Sequence, residues 1–389
     1  MIQYLWMFAS ILVIEQGAYI NEQGRNGAFY YSNFYLLLFY IASIISFIFF
    51  FQFFNKVLSI SFPEFKFLKK KEISMSRFFA IMVIIIAMVS LISSPSVYTS
   101  SAVNKFNYWE KATFPGLSVI LGSTIGYLPF VFGLIYHKYK KCTIVLIIIY
   151  IIYLIGVDQK FTAFLYGSLG FLLSFSILKL KNDKSYNILA FKKRYLIFVG
   201  TLIFLLVFIK YSNNNPFAYL DLTPMESVFY RAFGLQAHVF WGVVESYIYS
   251  NNSHSWDLSE LPYGMHVVMK EFTPIEHQKY LEDYVWAKGV SWTNAYPAIL
   301  IRMFPVPISL VFHFIIFSFV PLIYVILLKT IQNRNYLIAI ILFQLTLWLT
   351  NIYSMAYFHR LFKVVLIFLF LCFLAYIVNE VKKKRRKIG

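Results

Sequence analysis

The sequence predicts an all-α, polytopic integral membrane protein of about ten transmembrane helices with one long outer loop. Three observations lead there. The chain is 60% hydrophobic and 21% aromatic with only 13% charged residues, more apolar surface than a water-soluble domain has interior to hide. Its apolar runs, such as "YLLLFYIASIISFIFFF" from Tyr35 and "YLIFVGTLIFLLVFI" from Tyr195, approach or reach the length that ~30 Å of hydrocarbon demands of a helix. Its charges sit between those runs. A membrane β-barrel is disfavoured, because its strands would alternate apolar with polar residues.

Read in order, the apolar runs place spans near 2–14, 34–55, 78–97, 116–136, 143–157, 162–178, 195–211, 306–328, 336–350 and 364–379. The first is short enough to be re-entrant. It lacks a basic leader and a small-residue cleavage site, so a cleaved signal peptide is not expected. With no internal repeat and no low-complexity linker, residues 1–389 read as a single integral membrane domain.

Orientation follows from the basic residues. Loops 61–77, 137–142, 179–194 and 329–335 with the tail 380–389 hold 22 Lys and Arg in 56 residues. Loops 15–33, 98–115, 158–161, 212–305 and 351–363 hold 11 in 148. The positive-inside rule makes the first set cytoplasmic and puts both termini inside. The net charge of +18 is therefore mostly topology and lipid contact, and no nucleic-acid partner is implied. Cys142 and Cys372 fall within or at the ends of spans and imply neither a disulfide framework nor a metal site.

No cytoplasmic loop is large enough for a catalytic domain. The outer stretch 212–305 is the one long hydrophilic segment, and it carries most of the His, Asp, Glu and Trp. Within it, "YRAFGLQAHVFWGVVESY" spaces Arg231, His238 and Glu245 seven residues apart. On a continuous helix these share one stripe, with Phe233, Val239, Phe240 and Val243 on the other side. Two readings stand: an amphipathic helix at the outer interface with its stripe in water, or a stripe facing a cavity between spans, where each charge is costly unless used.

Other chemistries lack their motifs. There is no DxD, HExxH, GxSxG or glycine-rich phosphate loop, so neither a metal site nor a cofactor is expected. His254, His266 and His277 are spaced too irregularly for a helical metal site and read as loop residues. His313 and Gln344 interrupt span centres and read as hydrogen-bonded packing residues. Arginine remains as outer anion chemistry: Arg231, Arg302 and Arg360, with Lys160 close by, fall near outer span ends, and guanidinium forks bind phosphate bidentately. Each has the simpler reading of a snorkelling interfacial cation. Trp241, Trp286 and Trp292 serve either an interfacial belt or sugar stacking.

These residues resemble the polymerases of bacterial O-antigen and related repeat units (Wzy-type). Arg231 followed by ten residues and Gly242 is similar to the arginine–glycine pattern associated with their outer loops, and "GVSWTNAYPAILIRMFPVP", residues 289–307, looks like their loop end. No second such arginine motif is present. The resemblance implies a fold related to membrane glycosyltransferases and a bacterial inner-membrane location. It also implies transfer of a glycan from polyprenyl diphosphate to a lipid-linked repeat unit at the periplasmic face, with a flippase and a chain-length regulator as partners. On that reading His238 or Glu245 is the base, while Arg231, Lys160, Arg302 and Arg360 hold the pyrophosphate and Trp241 and Trp292 stack on sugar. Two alternatives remain: a polyprenyl-phosphate-sugar-dependent glycosyltransferase using Glu15 or Glu22 of the first outer loop, and a lipid-linked oligosaccharide flippase.

Overall fold

A computed structural model describes residues 2–16, 31–57, 72–97, 108–114, 121, 124–157, 161–182, 200–201, 204–205, 207–209, 211–212, 222–234, 237–250, 252–255, 257–260, 262–272, 296–333, 335–370 and 373. Lys160, Trp286, Trp292, Glu22, His277, Cys372 and the basic tail lie outside the described residues, as does the side chain of Arg231.

Among the described residues the regular structure is helical throughout. In chain order the main helices are α1 (Ile2–Glu15), α2 (Ser32–Val57), α3 (Glu72–Ser93), α4 (Leu128–Tyr136), α5 (Lys140–Gly156), α6 (Phe161–Asn182), α7 (Pro224–Phe229), α8 (His238–Val244), α9 (Met265–Phe272), α10 (Ala298–Met303), α11 (Val306–Phe317), α12 (Phe319–Gln332) and α13 (Tyr336–Met355). Residues 359–370 are also helical. Four stretches are long and apolar enough to cross a membrane: Ser32–Val57, Ile73–Ser93, Val306–Gln332 and Tyr336–Met355. Each coincides with an expected span. The expected first span is a helix of 14 residues, about 21 Å at 1.5 Å per residue and so shorter than the hydrocarbon core.

The chain forms two compact units, one from residues 1–59, 208–325 and 345–389, the other from 60–207 and 326–344. In the second unit α4 is buried along almost its entire length and packs closely on α6. A Cβ on Gly133 would lie 2.0 Å from Ser174 Oγ and 2.5 Å from the Phe171 carbonyl, so only glycine permits that approach. Ser174 in turn donates to the Phe130 carbonyl at 2.7 Å. Small residues at the contact and a hydroxyl bonded across it are how helices associate where no hydrophobic effect drives them together.

The first unit shows the same inversion on α2. Ser32, Leu36, Phe39, Ser43 and Ser46 form its buried stripe, while Leu37, Ile41, Ile45, Ile48 and Phe49 face outward. Large aliphatics outside and serines inside suit a hydrocarbon solvent and would be a severe liability in water. His313 of α11 closes the interior. Its Nε2 lies 2.8 Å from Ser43 Oγ and 3.1 Å from the Phe39 carbonyl, and its Nδ1 lies 2.6 Å from Tyr296 Oη. Ser43 spends its own proton on the Phe39 carbonyl at 2.8 Å, which places the imidazole proton on Nε2 and makes Tyr296 the donor to Nδ1. His313 is thus the bonded packing residue expected. Gln344 differs: its Oε1 is buried with no partner among the described residues.

Candidate functional site

The stripe expected over residues 231–245 does not form as one α-helix. Thr223 and Glu226 make a capping box that starts α7, with the Thr223 amide 2.8 Å from Glu226 Oε2 and the Glu226 amide 3.3 Å from Thr223 Oγ1. A π-helical turn follows at Tyr230–Gly234, and Ala237, with φ −126°, stands outside the helix before α8 begins. Wide turns and a non-helical residue break the 3.6-residue register, so Arg231 and His238 do not share a helix face by spacing.

Nor is α8 amphipathic. Every residue from His238 to Val244 is buried, and the helix packs against α1, α2 and α10. Phe39 of α2 meets Phe240 edge-on at 6.4 Å. The expected apolar residues Val239, Phe240 and Val243 are inside, but so are His238 and Trp241, while Phe233 is exposed. Trp241, expected as a sugar platform, is therefore a core side chain of a helix surrounded on all sides. His238 is 3% exposed, and neither ring nitrogen has a hydrogen-bond partner among the described residues. Burial pushes its pKa down to about 4, so it is a neutral imidazole at neutral pH. Glu245 is half-buried at the start of a second π-helical turn, Glu245–Tyr249.

The polar centre lies one layer away, around Arg302. The short helix α10 that carries it is held at both ends: Tyr296, just before it, is bonded to His313, and Ser309 Oγ lies 2.7 Å from the Leu300 carbonyl and 2.8 Å from that of Phe304. The Arg302 side chain is 8% exposed. Its terminal nitrogens reach both oxygens of Glu260, at 2.8 and 3.2 Å, and its Nε donates to Glu271 Oε2 at 2.6 Å. The Tyr247 hydroxyl donates to Glu271 Oε1. Burial works against the guanidinium charge, but the bonds to Glu260 and Glu271 outweigh it and raise the pKa above its ordinary value. Burial, and then the bond to Glu271, keep the Tyr247 phenol protonated.

Glu260 and Glu271 reach Arg302 because of one turn. Gly264 has φ +48°, and a Cβ there would stand 2.4 and 2.6 Å from the carbonyl oxygens of Met355 and Ala356. Only glycine fits both the left-handed backbone and the close approach. The turn launches α9, whose His266 and Lys270, and Val267 and Glu271, pair at four-residue spacing and line one wall of an open cavity of about 600 Å³. That volume lies within the range of small-molecule sites, about 300–1,000 Å³. Tyr263, Ser255 and Arg302 complete much of the remaining wall. Burial lowers the pKa of His266 and leaves it neutral at pH 7. Its ring lies 6.3 Å from that of Tyr357, over which the Arg360 guanidinium sits at 5.2 Å.

Of the cations expected together, Arg302 lines the cavity, whereas Arg360 is not among its lining residues and sits over Tyr357. Arg302 differs from expectation in one respect: its fork already grips two carboxylates. His254, expected as a solvated loop residue, donates from Nδ1 to the Ile301 carbonyl at 2.9 Å and stacks on Tyr247 with ring centres 5.7 Å apart. Glu15 accepts from the Ser32 amide at 3.0 Å at the start of α2, a structural role. Sequence reasoning missed Glu260, Tyr263, Lys270 and Glu271. The available signal was "PYGMHVVMKEF", a glycine turn followed by ionisable groups at i, i+4 spacing. Among the described residues no group of three His, Cys, Asp or Glu is placed to hold a metal ion.

A family model described as a family of unknown function, DUF6418, matches residues 258–377. Glu260, Tyr263, His266, Lys270, Glu271, Arg302, Tyr357 and Arg360 all fall inside it, whereas Arg231, His238, Glu245 and Tyr247 precede it. No curated protein and no solved structure matches the chain.

Proposed function

We propose that the protein polymerises lipid-linked repeat units of O-antigen or a related surface polysaccharide, as a multi-pass glycosyltransferase of the bacterial inner membrane with about ten spans and both termini cytoplasmic. The observation that carries this reading is the Arg302 centre: a buried guanidinium held by Glu260 and Glu271 on the wall of an open cavity, built entirely from residues of the long outer segment. Taking the Arg302 guanidinium out of water is expensive, and the two carboxylates that offset this cost stay partly open to the cavity, where a ligand can reach them.

The reaction needs a base for the acceptor hydroxyl and positive charge for the departing lipid pyrophosphate. The hydroxyl oxygen attacks the anomeric carbon, the bond to pyrophosphate breaks with its electron pair leaving on the phosphate oxygen, and the hydroxyl proton passes to the protein. His266, neutral at pH 7, and Glu271 stand at the cavity wall to receive that proton. Arg360, beside Tyr357, supplies positive charge, while Arg302 orients the carboxylates. The lipid-linked chain, the flippase that delivers it and a chain-length regulator are the partners this reaction requires.

Deleting the gene in its own cell tests the reading. Surface glycan should fall from a ladder to a single repeat, restored by the wild-type gene and not by Glu271→Gln at equal protein level. Repeat units trapped on the cytoplasmic leaflet, with none at the surface, would instead identify a flippase.

A further inference from the structure

The cavity at Arg302 has a chemical character of its own, and it is not that of a phosphate site. Four carboxylate oxygens face the centre. Both oxygens of Glu260 and Oε2 of Glu271 accept from Arg302, and Oε1 of Glu271 accepts from Tyr247. Each carboxylate oxygen accepts two hydrogen bonds, so every one of the four retains capacity after these internal bonds are made. The guanidinium is the reverse case. Three of its five N–H groups are spent, its side chain is 8% exposed, and a phosphate could take its fork only by displacing two carboxylates that would then repel the newcomer. The site is rich in fixed acceptors, and the cation its wall adds to the occupied Arg302 fork is Lys270, a point charge without a fork.

Sugars present the complementary chemistry: several hydroxyl donors on a neutral ring with an apolar C–H face. The Tyr263 side chain lies on the cavity wall and is 58% exposed, which leaves an aromatic surface for that face. The carboxylates are immobilised by Arg302 and Tyr247, so binding hydroxyls costs little further ordering.

We infer that the cavity bounded by Glu260, Tyr263, His266 and Glu271 is a carbohydrate subsite that binds a neutral sugar ring through its hydroxyls, with Arg302 as the positioning residue for both carboxylates. Its assignment to the acceptor unit rests on the polymerase reading. Binding of sugar as such does not.

The test uses the full chain purified in detergent, with methyl glucoside, methyl galactoside and N-acetylglucosamine as probes in saturation-transfer NMR and inorganic pyrophosphate as competitor. At least one sugar should give a saturable signal that pyrophosphate does not displace. Glu260→Gln should weaken it about tenfold, the worth of one charge-assisted bond. Tyr263→Ala, which leaves the Arg302 cluster intact, should weaken it at an unchanged melting temperature. Absence of any sugar signal, displacement by pyrophosphate, or a signal untouched by both variants would overturn the subsite. Sugar binding that responds to both variants, in a protein whose gene deletion leaves the glycan ladder full length, would keep the subsite and sink the polymerase. A ladder that collapses while sugar binding ignores both variants would do the opposite.

Discussion

Arg302 Nε donates to Glu271 Oε2 at 2.6 Å across 31 positions of sequence, and the same guanidinium holds Glu260 with its other two nitrogens. One cation therefore serves two carboxylates from two separate segments, and the geometry requires a planar fork.

Replacing that fork separates stability from function. Arg302→Ala leaves two half-buried carboxylates unpaired and should cost about 3 kcal/mol. Arg302→Lys keeps the charge but cannot bridge both partners, so it should recover only part of the loss. Arg302→Met combined with Glu260→Gln and Glu271→Gln removes the uncompensated charge and should melt near the wild-type temperature while making no glycan ladder. Thermal unfolding in detergent beside a ladder gel checks both halves. A triple variant as unstable as Arg302→Ala would show that the ion pairs are not the source of the loss.

His238 makes stability depend on pH. In the unfolded chain it titrates near its ordinary value of 6.5, and burial lowers the folded value to about 4. Above pH 6.5 it is neutral in both states and costs nothing. As pH falls toward 4 the unfolded chain takes up a proton that the folded one refuses, and about 3 kcal/mol of stability is lost across that window. His238→Phe should abolish this component, so its denaturation midpoint should drop less between pH 7.5 and pH 4.5 than that of the wild type. Parallel slopes would show that the imidazole is reached by water or a partner in solution.

Gly264 should tolerate no side chain. Gly264→Ala meets two carbonyl oxygens and a left-handed backbone worth about 1–2 kcal/mol of strain by itself. The expected result is a lower melting temperature together with weakened sugar binding, because the turn launches the helix that carries His266 and Glu271. Wild-type values for both would mean that α9 does not depend on this turn.

Topology is testable without any assay of chemistry. Alkaline phosphatase fused near Ser253 should be active, and fused after Lys184 it should not. The reverse pattern would place the Arg302 cavity on the cytoplasmic side and remove the lipid-linked substrate from reach.

Composition and spacing by themselves determined the helical class, the four long apolar helices that reappear at Ser32–Val57, Ile73–Ser93, Val306–Gln332 and Tyr336–Met355, the bonded role of His313 and the segment in which ionisable chemistry collects. Those features are legible because hydrocarbon imposes a length on each helix and taxes every charge, and both effects act locally along the chain. The tertiary structure decided the rest. It turned His238 and Trp241 into core residues, since a helix packed against three others has no outward face, whatever its periodicity. It also drew Glu260 and Glu271 to Arg302 over 42 and 31 positions, and Tyr247 to Glu271 over 24. No spacing rule encodes such a meeting, because it depends on a glycine turn at 264 and on a helix clamped at Tyr296 and Ser309, and those contacts exist only once the chain has folded.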